Sequence, residues 1–282
     1  MPCLAQEIAK KRFSKAQSQK KEWSKECLKE VKLRLENCED PDQISNRMKM
    51  ERKEAPSHET IYKMIYENRY EMGIYACKLR RKHKKRKQRG LKKQRRSPIP
   101  NRVGIEHRPE IIGKGHWEGD TVIGKNMKGA IATFADEESK FLIAQLMQDK
   151  TSQSLNQAAK ESFKDIKHLQ TFTFDNGGEF ALHQDLTKTL GANCYFANPY
   201  HSWERGLNEH TNRLLRQYFP KKTDFTQLTN EEIQLAVMAI NNRPRKSLNY
   251  LTANEVYFNH SNCQSLFYSS NLDLYKPVAS HA

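Results

Sequence analysis

Three carboxylates in the second half of the sequence have the residue types and spacing of a metal site for phosphoryl chemistry. Asp120 lies in a β-rich segment, Asp175 directly precedes an Asn-Gly-Gly turn, and Glu209 follows 34 positions later in a helical segment. Carboxylate oxygens suit Mg²⁺, which keeps its other positions for water and phosphate. Two such ions can promote an in-line displacement at phosphorus. These three residues are therefore the predicted catalytic and metal-binding groups.

Each acid also has a structural interpretation that spacing alone leaves open. An Asp near a strand end is usually a turn or cap residue, and Glu209 is alternatively part of an ordinary exposed helix surface. Glu118 shares a strand face with Asp120 because it lies two residues away, so it is an alternative ligand. Glu179 follows the glycine turn, where its alternative role is to brace that turn.

The elements that must position these acids follow from the hydrophobic pattern. Three consecutive antiparallel strands are predicted at residues 116–124, 129–136 and 140–148. The segments LQTFTFDNGGEF and NCYFANP predict the fourth and fifth strands, and helices are predicted at residues 152–164, 181–190, 203–219 and 229–242. This order predicts a mixed α/β sandwich with a five-stranded ribonuclease-H-like sheet and flanking helices. Its first and fourth strands are neighbours, which is expected to bring Asp120 and Asp175 together.

The first 70 residues predict a small helical DNA-binding region. Residues 1–39 are polar and helical, with an apolar stripe that includes Val31 and Leu35. Two short helices follow within about residues 40–70, the first capped by Asp40 or Asp42 and the second by Ser57. Such a pair predicts a helix-turn-helix whose second helix enters the DNA major groove. The candidate base-reading residues are Ser57, His58, Glu59, Thr60 and Lys63.

A basic segment follows this region. Residues 78–96 contain 13 Lys or Arg and no acidic residue. Such a run is either a solvated tail or a segment lying on DNA phosphates, and its place beside a DNA-reading region favours phosphate contact. The residues assigned to this contact are Arg80, Arg81, Lys84 and Lys85.

Charge and composition restrict the function classes. The net charge of the 282-residue chain is +16, and all of it arises in residues 1–100, which hold 29 Lys or Arg and 13 Asp or Glu. A basic arm beside a neutral body indicates a polyanionic partner, and its lack of a strong apolar face argues against a membrane surface. The absence of a secretory signal and of a long apolar segment predicts a cytoplasmic protein. The six cysteines lack zinc-finger spacing.

Several segments resemble the IS30 family of bacterial insertion-sequence transposases. HWEGDTVIGK around Asp120 is similar to the first catalytic block of that family, and TFDNGGEF around Asp175 is similar to the second. PYHSWERGLNEHTNRLLRQYFPKKTDF around Glu209 is similar to the third block, and NNRPRKSLNYLTANEVYF closes the match. SHETIYKMIY also fits the second DNA-binding helix pair of the family. The likeness covers roughly residues 40–258.

The resemblance implies a DDE transposase with an integrase catalytic core, in which Asp120, Asp175 and Glu209 bind Mg²⁺ or Mn²⁺. On the Glu209 helix, polar residues recur every four positions and share a face that is expected to contact DNA. The contacts assigned there are Arg205, Asn208, Asn212, Arg213 and Arg216. Trp203 is interpreted either as a base-stacking residue or as a core residue at the helix start.

The predicted organisation is a helical DNA-binding region at 1–77, a basic linker at 78–110, a catalytic domain at 111–260 and a tail at 261–282. The expected partners are double-stranded DNA, as element ends and target, and further copies of the chain, with no membrane and no small-molecule cofactor. A nucleoid-associated location follows. Family members are expected to carry an earlier helix-turn-helix, so the reading frame is expected to be truncated or to start upstream.

The predicted reaction is cleavage of a strand at an element end by water, followed by attack of the new 3′-hydroxyl on target DNA. Two alternatives stay open at this stage. A metal-dependent nuclease of the same fold would use the same triad and cut without joining. A decayed or domesticated DNA-binding protein would keep the fold without the reaction.

Overall fold

The computed structural model describes residue 7 and residues 22–80, 99–166, 169–198 and 201–258. The chain forms two units, Met1–Lys82 and His83–Ala282, which we call the N-terminal and C-terminal units. The predicted phosphate contacts Arg81, Lys84 and Lys85 and the predicted tail lie outside the described residues. Within the described ranges, no helix has the length and apolar character needed to cross a membrane.

The described part of the N-terminal unit is built on three helices, α1 (Lys25–Glu36), α2 (Pro41–Met50) and α3 (His58–Tyr66). Asp40 precedes α2, and its backbone N–H donates to the Gln43 side chain at 2.9 Å. Ser57 begins α3, because its hydroxyl accepts a hydrogen bond from the Thr60 N–H at 3.2 Å, as predicted. The apolar residues at helical spacing form one buried cluster between the helices, with Val31, Leu35, Ile44, Met48, Ile61, Met64 and Ile65 among its members.

The C-terminal unit contains a five-stranded sheet. Its strands are β1 (His116–Ile123), β2 (Ala130–Asp136), β3 (Leu142–Met147), β4 (Thr171–Phe174) and β5 (Asn193–Phe196). The spatial order is β3-β2-β1-β4-β5, in which β1 to β3 are antiparallel and β4 runs parallel to both β1 and β5. This is the predicted ribonuclease-H-like order, and the predicted adjacency of β1 and β4 is confirmed.

Helices cover both faces of the sheet. They are α4 (Ser152–Phe163), α5 (His183–Leu190), α6 (Gly206–Tyr218), α7 (Asn230–Asn241) and α8 (Ala253–Tyr257). Trp117 of β1 packs in the cluster that contains residues of α4 and α5, whereas Val122 packs with residues of α6 and α7. Because side chains alternate along a strand, Glu118 and Asp120 share the face of Val122 and lie towards α6.

A glycine between the two acids of β1 allows close packing of β4. A Cβ atom on Gly119 would lie 2.3 Å from a ring carbon of Phe174, which is too close for any other residue. The Phe174 ring therefore fills the space beside β1 on the face opposite Asp120. This contact fixes the end of β4, directly before Asp175, against the middle of β1.

The helix predicted at 203–219 differs from the one observed. Residues Ser202–Arg205 form a 3-10 turn, and α6 begins only at Gly206. Arg205 has an extended φ of −136°, so the chain bends at this residue. The sequence pattern missed the bend because the same residue types are compatible with a continuous helix.

Candidate active site

Asp120 and Asp175 converge where β1 and β4 lie side by side. The Arg205 guanidinium lies between their carboxylates, with Nη2 3.7 Å from Asp120 Oδ2 and Nη1 3.8 Å from Asp175 Oδ2. The predicted approach of these two acids is therefore observed, and a single cation spans them. A cation beside both carboxylates reduces the electrostatic repulsion between them.

The Asp120 carboxylate is held at both oxygens. Oδ1 accepts a hydrogen bond from the Thr121 N–H, and Oδ2 accepts one from Asn212 Nδ2, each at 2.8 Å. The Asn212 side chain is itself oriented, because its Oδ1 accepts from the Thr133 hydroxyl at 3.1 Å. Burial raises the pKa of Asp120, Arg205 opposes that rise, and the charge of Asp175 adds to it. The interactions that stabilise the ionised Asp120 carboxylate therefore do not fully offset the cost of its burial.

The Asn-Gly-Gly turn aims Asp175. Asp175 Oδ1 accepts a hydrogen bond from the Gly177 N–H at 2.7 Å. Asn176 donates to the Ala197 carbonyl at 2.8 Å and accepts from Arg102 Nε at 2.8 Å, which anchors the turn beside the end of β5. A Cβ on Gly177 would lie 2.8 Å from Asp175 Oδ1, so a side chain there would displace the carboxylate.

Glu209 lies in the first turn of α6 but does not contact the Asp pair. Its side chain is 51% exposed, and its nearest charged partner is Arg213, whose Nη2 lies 3.9 Å from Glu209 Oε1. Among the described residues, no three His, Cys, Asp or Glu side chains are close enough to hold one metal ion together. The structure therefore brings Asp120 and Asp175 together and places Glu209, the third predicted ligand, on the adjacent helix.

Residues on one face of α6 donate hydrogen bonds to three positions along β1. The Asn208 N–H donates to Glu118 Oε2 at 2.9 Å, Asn212 Nδ2 donates to Asp120 Oδ2, and Arg216 Nη2 donates to the Ile123 carbonyl at 2.7 Å. Four helical residues rise about 6 Å, close to the roughly 6.6 Å spanned by two strand residues. Residues four apart on α6 can therefore meet Glu118 and Asp120, which are two apart on β1, whereas Arg216 reaches a backbone carbonyl three residues beyond Asp120.

This face is the one that was predicted to contact DNA. Asn208 is only 1% exposed, and this burial contradicts a DNA contact. The Arg205 side chain, 10% exposed, donates from Nη2 to the Gly119 carbonyl at 2.7 Å, so the structure turns it inwards. Asn212 and Arg216 are likewise engaged with β1. In contrast, Arg213 is 69% exposed, and a DNA contact there stays a prediction.

The two alternative acids have structural partners of their own. Glu118 is buried, and burial raises the pKa of its carboxyl to about 7. It accepts from an N–H in the first turn of α6, which otherwise has no intrahelical acceptor. Buried Glu179 accepts from the Thr121 hydroxyl at 2.9 Å and pairs with Lys150 Nζ at 2.8 Å. It therefore braces β1 as well as the glycine turn.

The remaining predicted residues are at the surface where they are described. On α3, Ser57, His58 and Lys63 are exposed and Thr60 is half-buried, so a DNA contact there stays a prediction. Arg80 pairs with Asp40 at 2.5 Å, and phosphate would compete with that carboxylate. Trp203 is 71% exposed and its ring stacks on His201 with centroids 4.3 Å apart. Its interpretation as a core residue is therefore wrong.

The donor set around Arg205 fits a divalent metal ion. A cation already lies between two carboxylates, and carboxylate oxygens are the ligands that Mg²⁺ and Mn²⁺ prefer. The third predicted ligand, Glu209, also lies on α6, about one helical turn before Asn212, which is hydrogen-bonded to Asp120. The arrangement thus supplies a fixed pair of ligands and an exposed third acid.

Comparison with known proteins points to mobile DNA elements. The chain is 42% identical over 235 residues to the transposase for insertion sequence element IS4351 of Bacteroides fragilis, a match that covers 82% of this chain and 72% of that protein. It is 37% identical over 246 residues to transposase InsI for insertion sequence element IS30A of Escherichia coli K12, covering 80% of this chain and 63% of that protein. No protein-family model matches the chain.

Among solved structures, the catalytic core domain of BIV integrase is similar to this chain. The TM-score is 0.43 at 22% identity, and the match covers 52% of this chain and 95% of the integrase core.

Proposed function

Because the chain belongs to the IS30 family of insertion-sequence transposases, we propose that it cuts and joins DNA strands in transposition. The observation that supports this reaction most directly is the pair Asp120 and Asp175, held on either side of one cation where β1 and β4 meet. Paired carboxylates of this kind are what metal-assisted phosphoryl transfer needs.

In this proposal Asp120, Asp175 and Glu209 hold Mg²⁺ or Mn²⁺. The bound ions supply activation of the attacking oxygen and stabilisation of the leaving oxygen. Asn212 orients Asp120, and the Gly177 N–H orients Asp175, so both carboxylates are fixed before DNA binds. Glu209, on the exposed side of α6, completes the ligand set from the adjacent helix.

The proposed reaction has two displacements at phosphorus. A water oxygen first attacks a phosphodiester at the element end, and the bond to the 3′ oxygen breaks, leaving a free 3′-hydroxyl. That hydroxyl then attacks a target phosphodiester, so one phosphodiester bond forms as another breaks. The second step conserves the number of bonds and needs neither a nucleotide cofactor nor a covalent enzyme intermediate.

DNA binding is assigned to exposed residues of both units. On α3, the exposed His58 and Lys63, together with half-buried Thr60, would read bases in the terminal repeat. The basic segment 78–96 would lie on phosphates, and Arg213 would contact DNA beside Glu209. We propose a helical DNA-binding region, basic linker and catalytic domain with the boundaries given above, acting on DNA as a multimer.

A strand-transfer assay tests this function. A labelled duplex with the element's terminal repeat is incubated with plasmid and Mg²⁺, using the wild type, Asp175→Asn and the control Asp185→Asn. Asp185 is exposed on α5, away from the contacts of the Asp pair. We expect joined product from the wild type and the control, and a loss on the order of 10³-fold in Asp175→Asn, the scale on which removing a charge-stabilising group acts.

Other outcomes of the assay identify other functions. Cleavage without joining by the wild type would identify a nuclease of the same fold. DNA binding with neither reaction would identify a non-catalytic DNA-binding protein. Joining by Asp175→Asn at the wild-type rate would show that the chemistry lies elsewhere.

A further inference from the structure

The Arg205 guanidinium lies between the carboxylates of Asp120 and Asp175, the two predicted metal ligands that the structure brings together. We infer that Arg205 is a resident counter-cation, which holds the two carboxylates together before metal binds and which metal must displace. This role rests on the proposed metal site, and it makes Arg205 a positioning residue that acts on the ligands.

The geometry allows the guanidinium to serve both acids at once. Nη2 lies 3.7 Å from Asp120 and Nη1 3.8 Å from Asp175, while Nη2 also donates to the Gly119 carbonyl at 2.7 Å. The side chain is therefore hydrogen-bonded to the β1 backbone and lies between β1 and the turn after β4. The planar guanidinium is suited to this because its donors point in several fixed directions.

The same contacts show why this cation is displaceable. The separations from both carboxylates exceed hydrogen-bond length, so neither ion pair is tightly formed. Arg205 Nε is buried and has no hydrogen-bond partner among the described residues, which costs free energy while the side chain stays in place. Displacement by a better-matched cation would break the hydrogen bond to the Gly119 carbonyl, but it would sacrifice no close ion pair and would relieve the unpaired Nε.

The backbone conformation at Arg205 allows its side chain to leave the space between the two carboxylates. Arg205 is the last residue of the 3-10 turn Ser202–Arg205 and directly precedes α6, with backbone torsion angles that are not helical. A change of its torsion angles would swing the guanidinium without moving α6, whose face stays anchored to β1 by Asn208 and Asn212. A bound Mg²⁺ lies roughly 2.0–2.1 Å from its carboxylate oxygens, so it could not reach both Asp120 Oδ2 and Asp175 Oδ2 while the guanidinium lies between them. Metal binding and the inward position of Arg205 are thus mutually exclusive.

Metal titration of the full chain without DNA tests this role. We would measure Mn²⁺ affinity by calorimetry and thermal unfolding in EDTA for the wild type, Arg205→Gln, Arg205→Lys and the control Lys188→Gln, an exposed residue of α5. In Arg205→Gln we expect Mn²⁺ to bind about tenfold more tightly, equivalent to about 1.4 kcal/mol. In EDTA the same variant should unfold about 2–4 °C lower, because the two acids lose their counter-ion.

The other variants separate charge from fold. Arg205→Lys keeps the charge but cannot span both carboxylates, so its Mn²⁺ affinity should fall between those of the wild type and Arg205→Gln. This variant keeps the test informative if Arg205→Gln fails to fold. Lys188→Gln should match the wild type in both measurements. Unchanged or weaker Mn²⁺ binding in both Arg205 variants would overturn the inference.

Asp175→Asn distinguishes this inference from the proposed function. If Asp175→Asn loses Mn²⁺ binding while both Arg205 variants bind like the wild type, the metal site stands and only the role of Arg205 fails. If Asp175→Asn binds Mn²⁺ as the wild type does, the proposed metal site itself fails, and the inference fails with it.

Discussion

Two clusters of buried charge, one in each unit, are built in opposite ways. In the N-terminal unit, Glu51 accepts from Arg47 at 2.8 Å and from Arg34 at 2.9 Å, and pairs with Lys53 at 2.9 Å. In the candidate site, by contrast, Glu118 and Glu179 are buried and Asp120 and Asp175 are partly exposed. Lys150 pairs with Glu179, and Arg205 lies 3.7 and 3.8 Å from the two aspartates.

The difference shows in the acidities. Burial alone would raise the pKa of Glu51, but hydrogen bonds from Arg47 and Lys53 lower it to about 2. Burial raises the pKa of Glu118 to about 7 and also raises that of Asp120. An acid with a lowered pKa stabilises the fold in its ionised form, whereas the raised pKa values of Glu118 and Asp120 mean that burial disfavours their ionised forms, which an added cation would favour. Opposite responses to substitution should follow.

The largest effect is expected from removing the central arginine of the N-terminal cluster. Arg34 also pairs with Glu30 at 2.9 Å and with Glu39 at 3.4 Å, so Arg34→Met leaves three glutamates without their shared partner. Breaking a buried ion pair by removing one member costs about 3–5 kcal/mol. We expect that loss in the free energy of unfolding, measured by hydrogen exchange with mass spectrometry in peptides of α1 to α3.

A matched arginine in the same unit provides the control. Arg69 pairs with Glu67 at the surface, where the arginine side chain is 36% exposed. Surface pairs contribute about 0–1 kcal/mol, so Arg69→Met should change little. If the two variants lost equal stability, the buried cluster would not be the stabilising feature that its geometry indicates.

Most of the fold could be predicted from the sequence because its signals are local. Strand alternation, the turns between β1, β2 and β3, and caps such as Ser57 depend on neighbouring residues, and the strand order followed from the order of elements. The break before α6 could not be predicted in this way. At this break the Arg205 guanidinium donates to the Gly119 carbonyl, 86 residues away in the chain, and local sequence carries no signal of such a contact.

The approach of Asp120 and Asp175 could be predicted from the sequence, but the partners of these acids and the separate position of Glu209 could not. Asp120 and Asp175 were identified because strand order places them together. The polar face of α6 was assigned to DNA because helical spacing shows which residues share a face but not what that face meets. In the structure this face lies against β1, where Asn212 donates a hydrogen bond to Asp120 and Asn208 is buried. The spacing of Glu118 and Asp120 on a strand was the available signal for this match.

Glu51 should make the stability of the N-terminal unit depend on pH in the acidic range. Because the pKa of Glu51 is lowered in the folded state from 4.5 to about 2, its stabilisation is complete above pH 4.5 and is lost as the pH falls towards 2. The shift corresponds to about 3 kcal/mol. Glu51→Gln should therefore destabilise α1 to α3 at pH 6 and flatten their stability between pH 5 and 2. A wild-type pH profile in the variant would assign the acid response to other groups.

The smallest effect, and the one of opposite sign, is expected at Glu118. Burial raises its pKa in the folded state to about 7, above the ordinary glutamate value of 4.5, so stability is complete below pH 4.5 and falls as the pH rises to about 7. Glu118→Gln keeps an acceptor for the Asn208 N–H and removes the buried charge. We expect a gain of about 2 kcal/mol at pH 8, less than the full shift because the amide must also be desolvated.

Measurement at two pH values isolates this effect. In urea unfolding followed by hydrogen exchange in β1, the gain should be present at pH 8 and nearly absent at pH 5, where the wild-type carboxyl is already protonated. Glu138→Gln, exposed in the turn after β2, should show neither change. A loss of stability at pH 8 would mean that Arg205 fully compensates the Glu118 charge. The active site would then be balanced like the N-terminal cluster, and its attraction for a further cation would need another source.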